Sequence, residues 1–448
     1  MPQTPGRPAR AGLAALALGA AAMALGYSLR RRQRRTPRVA PQRLHAALPP
    51  RDPKAVAYTR TRYLTALAGE GLALGFLVAA SRQDRPVRLR RWAERHAPNP
   101  FLRDALFGGS LLTLSTAALL PYSFVSGHLV ERAFGLSRQS AVAWLADAAK
   151  GYAVSLALGA PTTAGLYAFI RRSPERWWLA AGGASALLAV VLTNLAPLLI
   201  DPLFHRYTPL HDEPLRRRLE ELACRAGLPV LGVFEADYSR KTTKANAYLT
   251  GIANTRRIVL TDTLLGRRAA PAEPGQPEPE PVVYSHAEIA SVLAHELGHH
   301  HFGHIWKGIL LGTVGTLGGF ALADGVLRRT GALPGYAGKG DVATLPALSL
   351  FLSLVSLAAA PAGAALSRAW ERQCDRYALA MTNDPEAFIG VMRKLARQNL
   401  ADPCPPAWLE ALLYDHPSIR NRILMALEWP QTGGPPTDAA APADRYRE

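Results

Sequence analysis

Residues 177–200 read WWLAAGGASALLAVVLTNLAPLLI, twenty-four positions without a charged side chain. A bilayer core needs about 20 consecutive apolar helical residues, so this stretch is long enough to cross it. Six further runs have the same character: Ala11 to Leu29, Tyr63 to Ala80, Ala105 to Val125, Tyr152 to Ile170, Ile309 to Val326 and Leu345 to Leu366. Seven spans predict a polytopic, mainly α membrane protein. The mean hydropathy of +0.01 conceals them, because arginine-rich connectors and a polar central segment offset the apolar runs.

The formal charge of +18 arises from 52 Lys and Arg against 34 Asp and Glu. Much of it flanks the first spans, as in Arg30, Arg31, Arg32, Arg34 and Arg35, which is a membrane-protein pattern and not a nucleic-acid footprint. The positive-inside rule places that cluster and the polar segment after Ile200 in the cytoplasm and the N-terminus outside. The predicted location is therefore the plasma (inner) membrane, with lipid as a partner. The basic connector Arg82 to Arg103 dissents, since this topology puts it outside; pairing with Asp84, Glu94 or anionic lipid would accommodate it. The first run reads as an uncleaved anchor and not a signal peptide, for no small-residue cleavage site precedes the arginine cluster. Three cysteines, Cys224, Cys374 and Cys404, all on the cytoplasmic side, exclude a disulfide framework.

The expected organisation is an anchor and basic arm over 1–61, a helical bundle over 62–200, a polar portion over 201–305, a helical pair over 306–366, C-terminal helices over 367–430 and a tail over 431–448. The 201–305 portion has a mixed pattern. A charged amphipathic helix near Glu213 to Ala226 precedes short β-type runs at Val230 to Phe234, Ala247 to Leu249 and Ile258 to Leu260. The Pro/Glu-rich stretch Ala269 to Pro281 reads as a surface insertion. Ser285 and Glu288 form a capping box before Ile289, Val292 and Leu293, which predicts a helix from about Ser285 to His304.

On that helix residues 295–299 read His-Glu-Leu-Gly-His. Imidazoles at i and i+4 share one face and can grip a single zinc ion, while Glu296 falls beside the open coordination position as a general base. The reading is thus a membrane-integral zinc endopeptidase acting on a peptide or protein substrate. Its rival is a non-proteolytic chamber or transport scaffold holding structural zinc, against which Glu296 counts because a structural site needs no base. Glu371 is the chosen third ligand, with Asp375 on the same helical face orienting a ligand histidine. A solvated face paired with Arg368 and Arg372 is the plain alternative. His300, His301 and His304 are rival ligands; at about 100° per residue, His300 and His304 point away from the His295 face and read as solvated or as supporting a ligand from behind. Cys374 is turned off the Glu371 face and reads as a small buried residue. Glu70, in mid-run, lines an interior space or pairs with another helix.

The chain resembles the type I CAAX prenyl proteases, integral-membrane gluzincins, over most of its length. The resemblance rests on HELGH, Glu371 with Asp375, Asp201-Pro-Leu-Phe-His-Arg-Tyr-Thr-Pro-Leu210, Asn246-Ala-Tyr248, Ile258-Val-Leu-Thr-Asp-Thr-Leu-Leu265, and Asp415-His416-Pro417 with Arg422. It implies a chambered helical barrel with one zinc facing the interior. It implies that Asn246, Ala247 and Tyr248 form an edge strand on which substrate backbone pairs, although a plain structural strand fits the same residues. It further implies that His416 and Arg422 lie near the metal and stabilise the oxyanion, although His-Pro equally suits a helix start. Substrates would be lipidated or amphipathic peptides or damaged membrane proteins. Oligomeric state is not encoded in any feature of the sequence.

Overall fold

In a computed structural model of the chain, residues 39–82, 84–251, 256–267 and 281–429 are described. The apolar run 11–29, the Arg30–Arg35 cluster, most of the 269–281 stretch and the tail from Pro430 lie outside them. The elements in chain order are α1 (Pro41–Ala47), α2 (Pro53–Ala80), α3 (Arg85–His96), α4 (Pro100–Phe124), α5 (Ala141–Arg172), α6 (Trp177–Leu195), β1 (Tyr207–Pro209), α7 (Glu213–Arg225), β2 (Val233–Ala236), β3 (Ala247–Thr250), β4 (Arg257–Thr261), α8 (His286–His301), α9 (His304–Gly331), α10 (Leu345–Thr382), α11 (Pro385–Gln398), α12 (Ala407–Leu413) and α13 (Ile419–Glu428).

Six described helical stretches are long and apolar enough to cross a membrane: Pro53–Ala80, Pro100–Ala133, Ala141–Arg172, Trp177–Leu203, His304–Gly331 and Val342–Thr382. They coincide with the six later sequence runs; the seventh expected span is the one outside the described residues. Passing the chain back and forth through these six puts the connectors 81–99, 173–176 and 332–341 at one end. The 134–140 and 201–303 segments come to the other.

Buried apolar clusters occupy the two ends. At the far end Ala93, Phe107, Tyr167, Ile170, Trp177, Ala323, Leu327 and Leu348 pack together. At the near end α7, the sheet, α8, the last turns of α10, α11 and α13 share a second core that includes Leu219, Ile258, Leu260, Leu293, Leu297, Phe388 and Ile423. Between them the spanning windows of α2 and α6 bury none of their residues. They still pack on neighbours, α2 through Gly69 against Tyr122 of α4 and α6 through Gly182 against Leu317 of α9, and Glu70 is exposed midway along α2.

The dissenting basic connector belongs to the far end, and there several of its arginines meet carboxylates, Arg90 across to the segment before α10. Asp104, fully buried, is ion-paired with Arg103 at 2.9 Å and with Arg171 at 2.6 Å. Arg90 pairs with Asp341, and Arg88 meets Asp84 at 3.3 Å.

The sheet has the order β1-β2-β4-β3; β2 and β4 are parallel and the outer pairs antiparallel. β3 is therefore an edge strand. Asn246 and Thr261 are opposite one another just beyond the ladder, and the Thr261 N–H donates to the Asn246 carbonyl at 3.0 Å. Antiparallel pairs alternate, so Tyr248 and Thr250 turn their backbone groups toward β4, while Ala245, Ala247 and Leu249 turn theirs outward. Two of these outward positions are taken. Asn399 clamps Ala245 by both its amide oxygen (3.0 Å) and nitrogen (3.2 Å), and the His300 ring hydrogen-bonds to the Leu249 backbone.

Candidate active site

The capping box forms as the sequence predicts: Ser285 Oγ accepts from the Glu288 N–H and Glu288 Oε2 from the Ser285 N–H at 2.7 Å. The helix does not continue to His304. α8 stops at His301, Gly303 adopts φ +65°, a left-handed conformation that glycine takes without a Cβ penalty, and α9 starts afresh at His304. Gly298 has a separate task. A Cβ there would lie 3.1 Å from Cys374 Cα and 3.2 Å from its Sγ, so the bare backbone lets α8 close onto α10. That closure brings two distant motifs into one cluster.

Donor atoms of His295, His299 and Glu371 all lie within 4.8 Å of one another. His295 Nε2 is 3.1 Å from Glu371 Oε2 and His299 Nε2 is 3.2 Å from Oε1. Glu371 and Asp375 are 4% and 0% exposed, so the solvated-face alternative fails, and Arg368 donates instead to the carbonyls of Ala411 (2.8 Å) and Tyr414. Asp375 Oδ1 accepts from His295 Nδ1 at 2.9 Å, which leaves the Nε2 lone pair aimed at the cluster. Arg422 holds Asp375 through Nε at 3.0 Å and Nη2 at 2.5 Å. Its guanidinium thus sits on the Nδ1 side of His295, away from the face where an oxyanion would form.

His299 is oriented by a residue that the helical wheel placed elsewhere. His304 is 4% exposed, with Nδ1 3.2 Å from His299 Nδ1 and Nε2 3.2 Å from Gln373 Oε1. The Gln373 oxygen must accept, so His304 carries its proton on Nε2. Its Nδ1 then accepts from His299, whose Nε2 lone pair is directed at Glu371. Of the two places expected for His304, in solvent or behind a ligand, the second is the one found, and the wheel mis-aimed the ring because it ran one unbroken helix through Gly303.

The cluster fits a divalent cation. Glu371 Oε2 is buried and has no hydrogen-bond donor; the Nε2 atoms of His295 and His416, at 3.1 and 3.2 Å, meet it without hydrogen-bond geometry. Burial disfavours a charged His295, yet Asp375 and Glu371 outweigh burial and raise it to about 9, a sign of the negative field a cation would neutralise. Two imidazoles and a carboxylate are a donor set that zinc accepts. A second group, His299, His304 and Cys374, is also within 4.8 Å. The first is the better catalytic centre, because it has Glu296 beside it and Asp375 behind it.

Glu296 follows His295 on α8, and burial pushes its carboxyl above the usual carboxylate range. His416 reaches the cluster from the connector between α12 and α13, half-exposed, with Asp415 accepting from its Nδ1 at 2.9 Å. Glu410 fixes that connector by accepting from the Ser418 N–H (3.1 Å) and Asn421 (2.8 Å). Asn246 is exposed, Ala247 is buried and Tyr248 is half-buried with its hydroxyl 3.2 Å from that of Tyr207. Beside His299 a cavity of about 60 Å³ is lined by Gly251, Arg256, His300, Gly303, Ile305 and Trp306. Burial and the nearby Arg256 lower His300 to about 4, so the ring that bridges α8 to β3 is neutral. Sequence reasoning did not single out Arg256 and left His300 and His304 between solvent and a supporting place; the Gly303 break is the signal that decides His304.

The pattern of "Peptidase family M48" matches residues 209–429, and that of "CAAX prenyl protease N-terminal, five membrane helices" matches residues 30–206. Within the latter interval the described residues hold four spanning helices and α3. "Uncharacterized metalloprotease YhfN" of Bacillus subtilis is 30% identical over 340 residues, 75% of this chain and 76% of that protein. "CAAX prenyl protease 1 homolog" of Oryza sativa subsp. japonica is 28% identical over 339 residues, 74% and 75% of the two chains. The crystal structure of S. mikatae Ste24p superposes with a TM-score of 0.70 at 22% identity, covering 92% of this chain and 96% of that one, a likeness of fold.

Proposed function

The chain belongs to peptidase family M48 as an integral-membrane metalloprotease, and on that premise we propose that it is a zinc endopeptidase cutting membrane-associated or lipidated peptides at the His295–His299–Glu371 cluster. The observation that carries this reading is the convergence of those three donors with Glu296 beside them and the edge strand β3 packed near the same helix. Residues 201–305 and 367–430 form the hydrolytic unit; 62–200 and 306–366 form the membrane scaffold.

His295, His299 and Glu371 would hold the zinc, which when bound supplies a Lewis acid that polarises the scissile carbonyl and acidifies water. Glu296 takes the proton of the attacking water and passes it to the leaving nitrogen, a task its raised affinity for protons suits near neutral pH. His416, the half-exposed member of the cluster, donates to the developing oxyanion. Arg422 acts one step removed: it fixes Asp375, and Asp375 fixes the tautomer of His295. The extended substrate is held by the exposed Asn246 amide and the outward backbone of Ala247.

The head belongs on the cytoplasmic face, which the Arg30–Arg35 cluster supports through the positive-inside rule. A chamber between the spanning helices, as the resemblance implies, would suit a lipid-bearing or hydrophobic peptide, including fragments of damaged membrane proteins. The test is hydrolysis of a quenched fluorescent peptide by the detergent-purified chain. Activity should vanish with a chelator and return with one equivalent of zinc; hydrolysis untouched by metal removal would defeat the proposal.

A further inference from the structure

Cys374 is one helical turn from Glu371, fully buried, with its Sγ 3.6 Å from Nδ1 of His304. That same Nδ1 is 3.2 Å from Nδ1 of His299. The rest of the His304 ring is fixed: Gln373 holds Nε2, and Trp370 stacks on the ring at 4.8 Å and 8°. The donor atoms of His299, His304 and Cys374 lie within 4.8 Å of one another. Thiolate with imidazole is a soft donor set, unlike the oxygen-containing cluster next to it.

We propose that Cys374 and His304, with His299 as a shared third donor, form a second site for a thiophilic cation such as excess zinc, cadmium or copper(I), and that its occupancy switches the protease off. The inference rests on the zinc-protease reading above. As the ion bonds to Sγ, the thiol proton leaves to solvent. The ion also takes the Nδ1 lone pair of His304, the acceptor that holds His299 in place. His299 then loses its hydrogen-bond partner, and its Nδ1 becomes the third donor only when that proton leaves as well. Either way the His299 ring loses the hydrogen bond from behind that aims its Nε2 at Glu371, and loss of such a supporting contact weakens metal affinity or activity by about 10 to 100-fold. His299, its side chain 26% exposed, is the accessible member through which the ion enters.

The experiment uses the full chain with Cys224→Ser and Cys404→Ser, which leaves Cys374 as the sole thiol, loaded with one equivalent of zinc. Cadmium is titrated in while the ultraviolet thiolate-to-cadmium charge-transfer absorption and peptide hydrolysis are both followed. The band should appear as hydrolysis falls by about 10 to 100-fold. Adding Cys374→Ala, or Cys374→Ser if a smaller side chain disturbs packing, should abolish the band and leave hydrolysis resistant. No band in the single-thiol protein, or equal inhibition in Cys374→Ala, would overturn the proposal. The band needs sulfur, which His295, His299 and Glu371 do not offer. A band in a protein that never hydrolyses peptide would fault the protease reading and leave the second site standing.

Discussion

Asp375→Asn tests how far the zinc site depends on the residue behind it. The substitution keeps volume, so no cavity forms, but it exchanges a carboxylate that only accepts for an amide that also donates. Asp375 is fully buried and receives His295 Nδ1 at 2.9 Å, Arg422 Nη2 at 2.5 Å and Arg422 Nε at 3.0 Å. If the amide oxygen keeps the Oδ1 position, it still accepts the first two. The amide nitrogen then opposes Arg422 Nε, and one charge-assisted hydrogen bond, worth about 1.5 to 3 kcal/mol, is lost. Arg422 also loses its counter-charge, and breaking a buried pair from one side can cost about 3 to 5 kcal/mol. Zinc affinity should fall by about 10 to 100-fold, because His295 is less basic but still oriented. Competition against a chelator measures the affinity, and thermal unfolding in the same detergent measures the stability. Adding Arg422→Met removes the orphaned cation, so the double variant should regain melting temperature and not zinc affinity. An Asp375→Asn protein that binds zinc as tightly as its parent would refute the supporting role.

Glu371→Gln should fold in the membrane yet lose both metal and activity; normal zinc content measured by atomic absorption would remove Glu371 from the ligand set. Asn246→Ala strips an exposed amide without touching the β3–β4 ladder. It should lower kcat/KM by about fivefold, the equivalent of one hydrogen bond near 1 kcal/mol, with zinc content unchanged; an unchanged kcat/KM would take Asn246 out of substrate binding. On topology, single cysteines placed at Arg217 and Arg393 in a Cys224→Ser, Cys404→Ser background should label from the cytoplasmic side of sealed vesicles, and cysteines at Arg91 and Ala332 from the opposite side. Labelling of Arg91 and Arg217 positions from one side would break the alternation of spans.

Much of this was legible because the signals are local. An apolar run of about 20 residues needs no partner to be read, and all six described spans fall where the sequence places them. The capping box at Ser285 and the i, i+4 pairs His295/His299 and Glu371/Asp375 are also local periodicities. What escaped is made by contacts between distant segments. The order β1-β2-β4-β3 requires a crossover that no strand propensity encodes, and the three-residue β1 pairs with a strand 26 residues later, beyond the amphipathic helix α7. Arg422 was assigned to the oxyanion because its role depends on Asp375, 47 residues earlier. The aim of His304 was misjudged by counting 100° per residue through Gly303, where one left-handed residue re-aims everything that follows.

The measurement that tests the central claim most directly is the metal content and single-turnover rate of Glu296→Gln. His295, His299 and Glu371 remain, so the variant should bind zinc like its parent, keep its fold and retain peptide uncut on the enzyme. The amide cannot accept the water proton, and hydrolysis should fall by about 10² to 10⁴-fold or more. A Glu296→Gln protein that holds zinc and cleaves peptide at the parental rate would contradict the mechanism, and with it the reading of this cluster as a proteolytic centre.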